Sequence, residues 1–286
     1  METQLPQEEL KPRRSGIKRG VYILPSLFTT ASLFCGFFSI VKSINGDFVM
    51  AAWMILLAGV FDGLDGRVAR LTKTQTDFGI EYDSLVDLAS FGLAPAIMAF
   101  IWGLKDFNRF GWGVAFIFFA CGALRLARFN VQSSSVEKRY FQGLPIPAAA
   151  YIVSSLIIFQ ERFAFSHLLF KYILLPLMFC VALLMVSNVR YRSFKHIDFS
   201  KPHSFIFLVL AALVLGVIAS MPQETLFCAS FLFMISGPIE ELVHIVRRKN
   251  FLERRLALRG LKHSNSANAK VVSISSREEK EANHQI

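Results

Sequence analysis

Asp62, Asp65, Asp83 and Asp87 stand in a stretch reading FDGLDGRVARLTKTQTDFGIEYDSLVD, which lies between two apolar runs. Asp62, Asp65, Gly66, Ala69 and Arg70 fall at offsets 0, 3, 4, 7 and 8, so at about 3.6 residues per turn they share one face of a helix. Gly79, Asp83 and Asp87 share a face of a second helix. Two carboxylates one turn apart on each of two adjoining helices form a cage of hard oxygen ligands, which suits Mg²⁺ or Mn²⁺ rather than zinc or copper. Two such ions about 3.5 to 4 Å apart are the usual clamp for in-line attack at phosphorus. Without cations, like charges about 4 Å apart repel by about 4 kcal/mol at an effective dielectric of about 20. Gly66 and Ala69 carry almost no side chain, so a bulky ligand can approach the helix there. Arg70 offers a fork suited to phosphate oxygens. A nucleoside diphosphate fits that description.

These residues must be positioned by membrane helices. A chain of 286 residues with 29 Phe and only 18% charged residues is too apolar for a soluble domain, and its apolar stretches repeatedly reach spanning length. The sequence predicts an all-α, polytopic membrane protein with about eight spans, near residues 21–42, 48–67, 82–104, 110–129, 144–160, 167–188, 203–221 and 224–246. The acidic stretch therefore straddles the end of the second span, a short loop and the start of the third. Arg13, Arg14, Lys18, Arg19, Arg67, Arg70, Lys73, Arg125, Arg128, Lys138, Arg139, Arg190, Arg192, Lys195, Arg247 and Arg248 gather on one side of these spans. By the positive-inside rule that side is cytoplasmic, with both termini and the acidic stretch, in an inner membrane.

The net charge of +10 does not point to nucleic acid, because the basic residues are interleaved with the spans rather than gathered on a soluble face. Cys35, Cys121, Cys180 and Cys228 each lie alone in an apolar run and read as small core residues. Taken singly, an Asp at a span end is an ordinary solvated cap, a Gly in a span an ordinary packing contact, and a terminal Arg an ordinary snorkelling cation. The fixed spacing of all of them together is what argues for a site.

The pattern Asp62-x-x-Asp65-Gly66-x-x-Ala69-Arg70, eight residues, then Gly79-x-x-x-Asp83-x-x-x-Asp87 resembles the full signature of the CDP-alcohol phosphotransferases. Within that family, the segments KRGVYILPSLFTTASLFCGF, ALRLARFN and YFQGLPIPAAA are similar to the membrane-embedded bacterial and archaeal phosphatidylserine synthases. The likeness is close from about Lys18 to Tyr151. Ser26 and Ser32 depart from it, since the family often carries Asn at these positions.

The resemblance implies a homodimer in which residues 21–188 form a six-helix catalytic core with a polar cavity open to the cytoplasm. A basic segment, 1–20, precedes this core. Two additional spans follow in 203–246, then a basic interfacial segment and disordered tail in 247–286. It also implies that Asp62, Asp65, Asp83 and Asp87 hold two divalent ions, Mg²⁺ or Mn²⁺, on the diphosphate of CDP-diacylglycerol, with Asp87 also the general base. Asp62, Gly66, Ala69, Arg70 and Gly79 would line the CDP site. The implied reaction is phosphatidyl transfer to the hydroxyl of L-serine, giving phosphatidylserine and CMP among the membrane lipids. Transfer to another alcohol such as glycerol 3-phosphate is the alternative. A reading as an intramembrane prenyltransferase stands further off, since the chain has one acidic cluster and no second copy, and so does an ion transporter, since the charges lie at span ends rather than near mid-span.

Serine is a zwitterion, and a planar guanidinium fork is the group best fitted to its carboxylate. Arg125 and Arg128, one turn apart at the end of the fourth span, with Asn130, Lys138, Arg139 and Gln142, form the candidate acceptor rim. Ser90, one turn beyond Asp87, is a candidate hydrogen-bond donor to a carboxylate or to substrate.

Overall fold

Among the described residues, the apolar runs become helices. The computed structural model describes residues 17–72, 76–133, 140–163, 166–192, 213, 216, 220–243 and 246. Its helices are α1 (Ile17–Ile44), α2 (Phe48–Thr72), α3 (Asp77–Asp87), α4 (Ala94–Trp102), α5 (Asn108–Ser133), α6 (Ile146–Phe163) and α7 (His167–Val186), followed by α8 (Pro222–Val243). A short antiparallel ribbon pairs β1 (Tyr140–Gln142) with β2 (Arg190–Arg192). The chain divides into two compact units, Met1–Gly237 and Pro238–Ile286. The described residues of the second, 238–243 and 246, are helical.

Among the described residues, six helical stretches are long and apolar enough to cross a membrane: Ser26–Ile44, Phe48–Ala69, Asp77–Trp102, Leu104–Val131, His167–Val186 and Pro222–Val243. They match six of the eight expected spans. The expected fifth span is α6, whose 18 residues end in the polar run Gln160-Glu161-Arg162; it is not one of the six, and it is buried along much of its length. Most of the expected seventh span lies outside the described residues, as do residues 1–16 and the tail from 247.

Local chemistry sets the helix ends. Asn45-Gly46 makes a turn, with Gly46 at φ 79°, and Asp47 both pairs with Lys42 at 3.1 Å and caps α2 by accepting from the Met50 N–H. The third span begins five residues before the expected Tyr82. Thr76 is the reason: its hydroxyl accepts the Gly79 N–H at 3.0 Å, and Asp77 in the first turn complements the helix dipole. Asp83 and Asp87 are consequently inside a helix rather than at its edge.

α3 and α4 are one span interrupted by a π-helical turn, Leu88–Leu93. Pro95 has no N–H to offer the preceding turn, and the Ala94 N–H bonds the Ala89 carbonyl, five residues back. A π-helical turn inside a helix is often found at a functional site, and this one directly follows Asp87.

Packing in lipid depends on close approach rather than on apolar burial alone, and small residues permit it. Ala51, Ala52 and Ala58 of α2, Ala94, Ala96 and Ala99 of α4, and Ala149 and Ala150 of α6 are all buried. α1 packs on α2 and α4, α2 on α6, and α5 on α7. α8 joins through aromatic contacts: Phe227 stacks on Phe159 at 4.4 Å, and Phe233 meets Tyr191 of the ribbon at 5.5 Å. The Tyr191 hydroxyl donates to the Met234 carbonyl at 3.1 Å, and burial pushes its phenol up to about 12, so it remains a donor. All four cysteines are free, but only Cys35 is buried; Cys180 and Cys228 are exposed on the helix surface rather than in the core.

Candidate active site

The end of α2 and the length of α3 bring Asp62, Asp83 and Asp87 together. One carboxylate oxygen from each lies within 4.8 Å of the others. Asp62 and Asp83 are half-buried, and the Oδ1 of Asp87 is buried with no hydrogen-bond partner among the described residues. A buried anionic oxygen without a partner costs several kcal/mol unless a donor or a cation meets it. Three hard oxygens in reach of one point, beside an orphaned oxygen of Asp87, fit a divalent ion.

Asp65 stands apart from this group of three. It is buried, and it accepts a hydrogen bond from the Thr29 hydroxyl of α1. Beside it, the Thr30 hydroxyl lies 3.1 Å from the Tyr82 hydroxyl of α3. Consecutive threonines thus tie α1 to both acid-bearing helices. The sequence reading missed these contacts, although two adjacent threonines in an apolar run were a visible signal. Ser26 and Ser32, where the family often has Asn, supply backbone carbonyls instead: Ser26 to the Thr30 hydroxyl at 2.7 Å, and Ser32 to Ser90 at 3.1 Å.

That second bond corrects the reading of Ser90. Its hydroxyl is spent on the Ser32 carbonyl rather than on a carboxylate; the π-helical turn carries it against α1, where a methyl group on Gly36 would lie 2.5 Å from its oxygen.

The small residues of the signature separate in role. Gly66 is exposed and Ala69 buried at the end of α2, while Gly79 lies in the capped first turn of α3. The backbone of Arg70 continues α2; its side chain lies outside the described residues.

The described residues of the expected acceptor rim make separate contacts. Arg125 is buried to 9% exposure, its Nε has no hydrogen-bond partner among the described residues, and its charge acts on Asp87 without a direct ion pair. Arg128 instead donates from Nη1 to the Val186 carbonyl at 2.9 Å, closing the C-terminal end of α7. Asn130 donates to the Ser84 hydroxyl of α3 at 3.0 Å. Gln142 is exposed on the ribbon, and Lys138 and Arg139 lie outside the described residues.

The ribbon belongs to the same end of the bundle. Gly143, at φ 77°, turns the chain from β1 into α6 where a Cβ would lie 2.2 Å from the Met185 carbonyl. Its N–H bonds Val189, and the Leu144 N–H bonds Leu184, so the FQGLP segment is docked on the end of α7.

A sequence profile of the CDP-alcohol phosphatidyltransferases matches residues 22–184, which contain every acidic residue of the cluster. The chain belongs to the CDP-alcohol phosphatidyltransferase family. A CDP-diacylglycerol–serine O-phosphatidyltransferase of Helicobacter pylori is 37% identical over 233 residues, covering 80% of this chain and 97% of the relative. An archaetidylserine synthase of Methanothermobacter thermautotrophicus is 39% identical over 170 residues, 59% of this chain and 69% of the relative. A CDP-diacylglycerol–serine O-phosphatidyltransferase of Mycobacterium tuberculosis is 31% identical over 217 residues, 74% of each chain. The family's matched segment ends at residue 184, within α7, so α8 lies beyond it.

Proposed function

We propose that this membrane protein transfers the phosphatidyl group of CDP-diacylglycerol to the hydroxyl of L-serine, releasing CMP and leaving phosphatidylserine in the bilayer. The observation that carries this reading is the match to a serine phosphatidyltransferase across 97% of that relative's length. The acidic cluster supports it, because a diphosphate is what such a cluster holds through divalent ions.

Asp62, Asp65, Asp83 and Asp87 would hold the ions, Asp62, Asp83 and Asp87 being the three whose oxygens already converge. Mg²⁺ or Mn²⁺ supplies charge neutralisation at the diphosphate oxygens when bound. Gly66, Ala69, Arg70 and Gly79, with Asp62, flank the CDP moiety. Asp87 takes the proton from the serine hydroxyl as that oxygen attacks the phosphorus bearing diacylglycerol; the bond from this phosphorus to the bridging oxygen breaks, and CMP departs with that oxygen. Arg125 is the acceptor-side cation, a buried guanidinium with an unspent N–H beside the base. The serine carboxylate is the group that fits it.

The enzyme works as a homodimer in the inner membrane, with its site open to the cytoplasm, as the side bearing most Lys and Arg argues. Incorporation of labelled serine into chloroform-soluble lipid tests the reading. It should require both CDP-diacylglycerol and the purified protein; label that stays in the aqueous phase overturns it.

A further inference from the structure

Tyr151 of α6 reaches toward the Asp62 and Asp87 carboxylates. Its hydroxyl presses on Gly59 of α2 so closely that a methyl group there would lie 1.5 Å from the hydroxyl oxygen. Its ring meets Phe91 of the π-helical turn edge-on, with centroids 6.4 Å apart. Gly59 is one turn inward of Asp62, and Phe91 one turn inward of Asp87. A single side chain therefore touches both acid-bearing spans directly beneath the facing pair, and the charges of Asp62 and Asp87 both act on it.

Neighbouring hydroxyls are already engaged. Ser84 is bonded to Asn130, Ser90 to the Ser32 carbonyl, and Thr29 to Asp65. The Tyr151 hydroxyl makes no hydrogen bond among the described residues, while Asp87 Oδ1 is buried and lacks a donor. A carboxylate that gives one oxygen to a cation is normally oriented by a hydrogen bond to the other, and losing that outer partner typically costs about 10- to 100-fold in metal affinity or activity.

We propose that Tyr151 is a positioning residue whose hydroxyl donates a hydrogen bond to the Asp87 carboxylate and so holds the Asp62–Asp87 pair in ligating geometry. The role rests on the divalent-ion reading above and involves no proton transfer. Gly59 is part of the same device, because only a residue without a Cβ leaves room for the hydroxyl.

The test is Y151F in the purified full-length protein, which keeps the ring on Phe91 and removes only the hydroxyl. Mn²⁺ binding, followed by the loss of the free-ion paramagnetic resonance signal, should weaken about 10-fold, and kcat at fixed Mn²⁺ should fall about as far. KM for serine and for CDP-diacylglycerol should stay within about twofold, and the melting midpoint should hold, which separates positioning from a packing defect. Unchanged Mn²⁺ affinity overturns the proposal, even if kcat falls. Failure of the divalent-ion reading has a different signature: the wild-type protein itself shows no saturable Mn²⁺ binding. In that event the Tyr151 role falls with the ion reading, whatever Y151F does to kcat.

Discussion

Ser90 donates its hydroxyl to the backbone carbonyl of Ser32, 3.1 Å away, across the contact between the π-helical turn and α1. The bond fastens the segment that follows Asp87 to the first span at a point where Gly36 allows the two backbones to approach. Ser90→Ala should therefore cost about 1 kcal/mol of stability, read as a lower melting midpoint in detergent, while KM for serine stays unchanged. A raised serine KM with unchanged melting would return Ser90 to the substrate.

Asp87→Asn should preserve the fold and lose turnover by about 100-fold or more, since an amide cannot accept the hydroxyl proton. It also ligates a cation more weakly. Steady-state rates at saturating Mg²⁺ or Mn²⁺ check this, and turnover within a few-fold of wild type would remove Asp87 from the base role.

The two arginines of α5 should behave differently although they lie one turn apart. Arg125→Ala should raise KM for serine about 10-fold or more, equivalent to about 1.4 kcal/mol, and move KM for CDP-diacylglycerol little. Arg128→Ala removes the partner of the Val186 carbonyl and should cost about 1 kcal/mol of stability instead. Reversed effects would assign the serine carboxylate to Arg128.

Removal of divalent ions should abolish activity, and Mg²⁺ or Mn²⁺ should restore it, because Asp62, Asp83 and Asp87 otherwise share one small space as anions. Full activity after exhaustive chelation contradicts the metal role of the cluster.

Orientation is open to a labelling test in a cysteine-free background, needed because Cys180 and Cys228 are exposed. A membrane-impermeant thiol reagent applied to intact cells should modify N45C, in the turn before α2, and leave Q142C, on the ribbon, untouched. The opposite pattern would place the acidic site on the outer face.

Much of the acidic cluster was legible in the sequence, because helical periodicity puts Asp62 and Asp65 on one helix face and Asp83 and Asp87 on another; the convergence of Asp62, Asp83 and Asp87 without Asp65 was not. Spans were legible for the same reason, through length and hydropathy. Three kinds of fact were not. The start of α3 depended on the Thr76 cap, a local bond that hydropathy does not register. The direction of Ser90 depended on a π-helical turn, which shifts side chains off the α-helical face assumed for them. The fates of Arg128 and Asn130 depended on which neighbours the tertiary packing brought to them, Val186 and Ser84, from distant points in the chain. Tyr151 was hidden by the same cause, as its nearness to Asp62 and Asp87 exists only once α6 packs against α2 and the π-helical turn.

The most direct measurement is CMP release by the purified protein from CDP-diacylglycerol with Mg²⁺ or Mn²⁺, adding L-serine, glycerol 3-phosphate or no acceptor in parallel. The account predicts rapid release with serine, little with glycerol 3-phosphate and almost none without acceptor. Release driven by glycerol 3-phosphate in preference to serine would keep the chain in its family and contradict serine as its substrate, and no release with either would contradict phosphatidyl transfer to these alcohols.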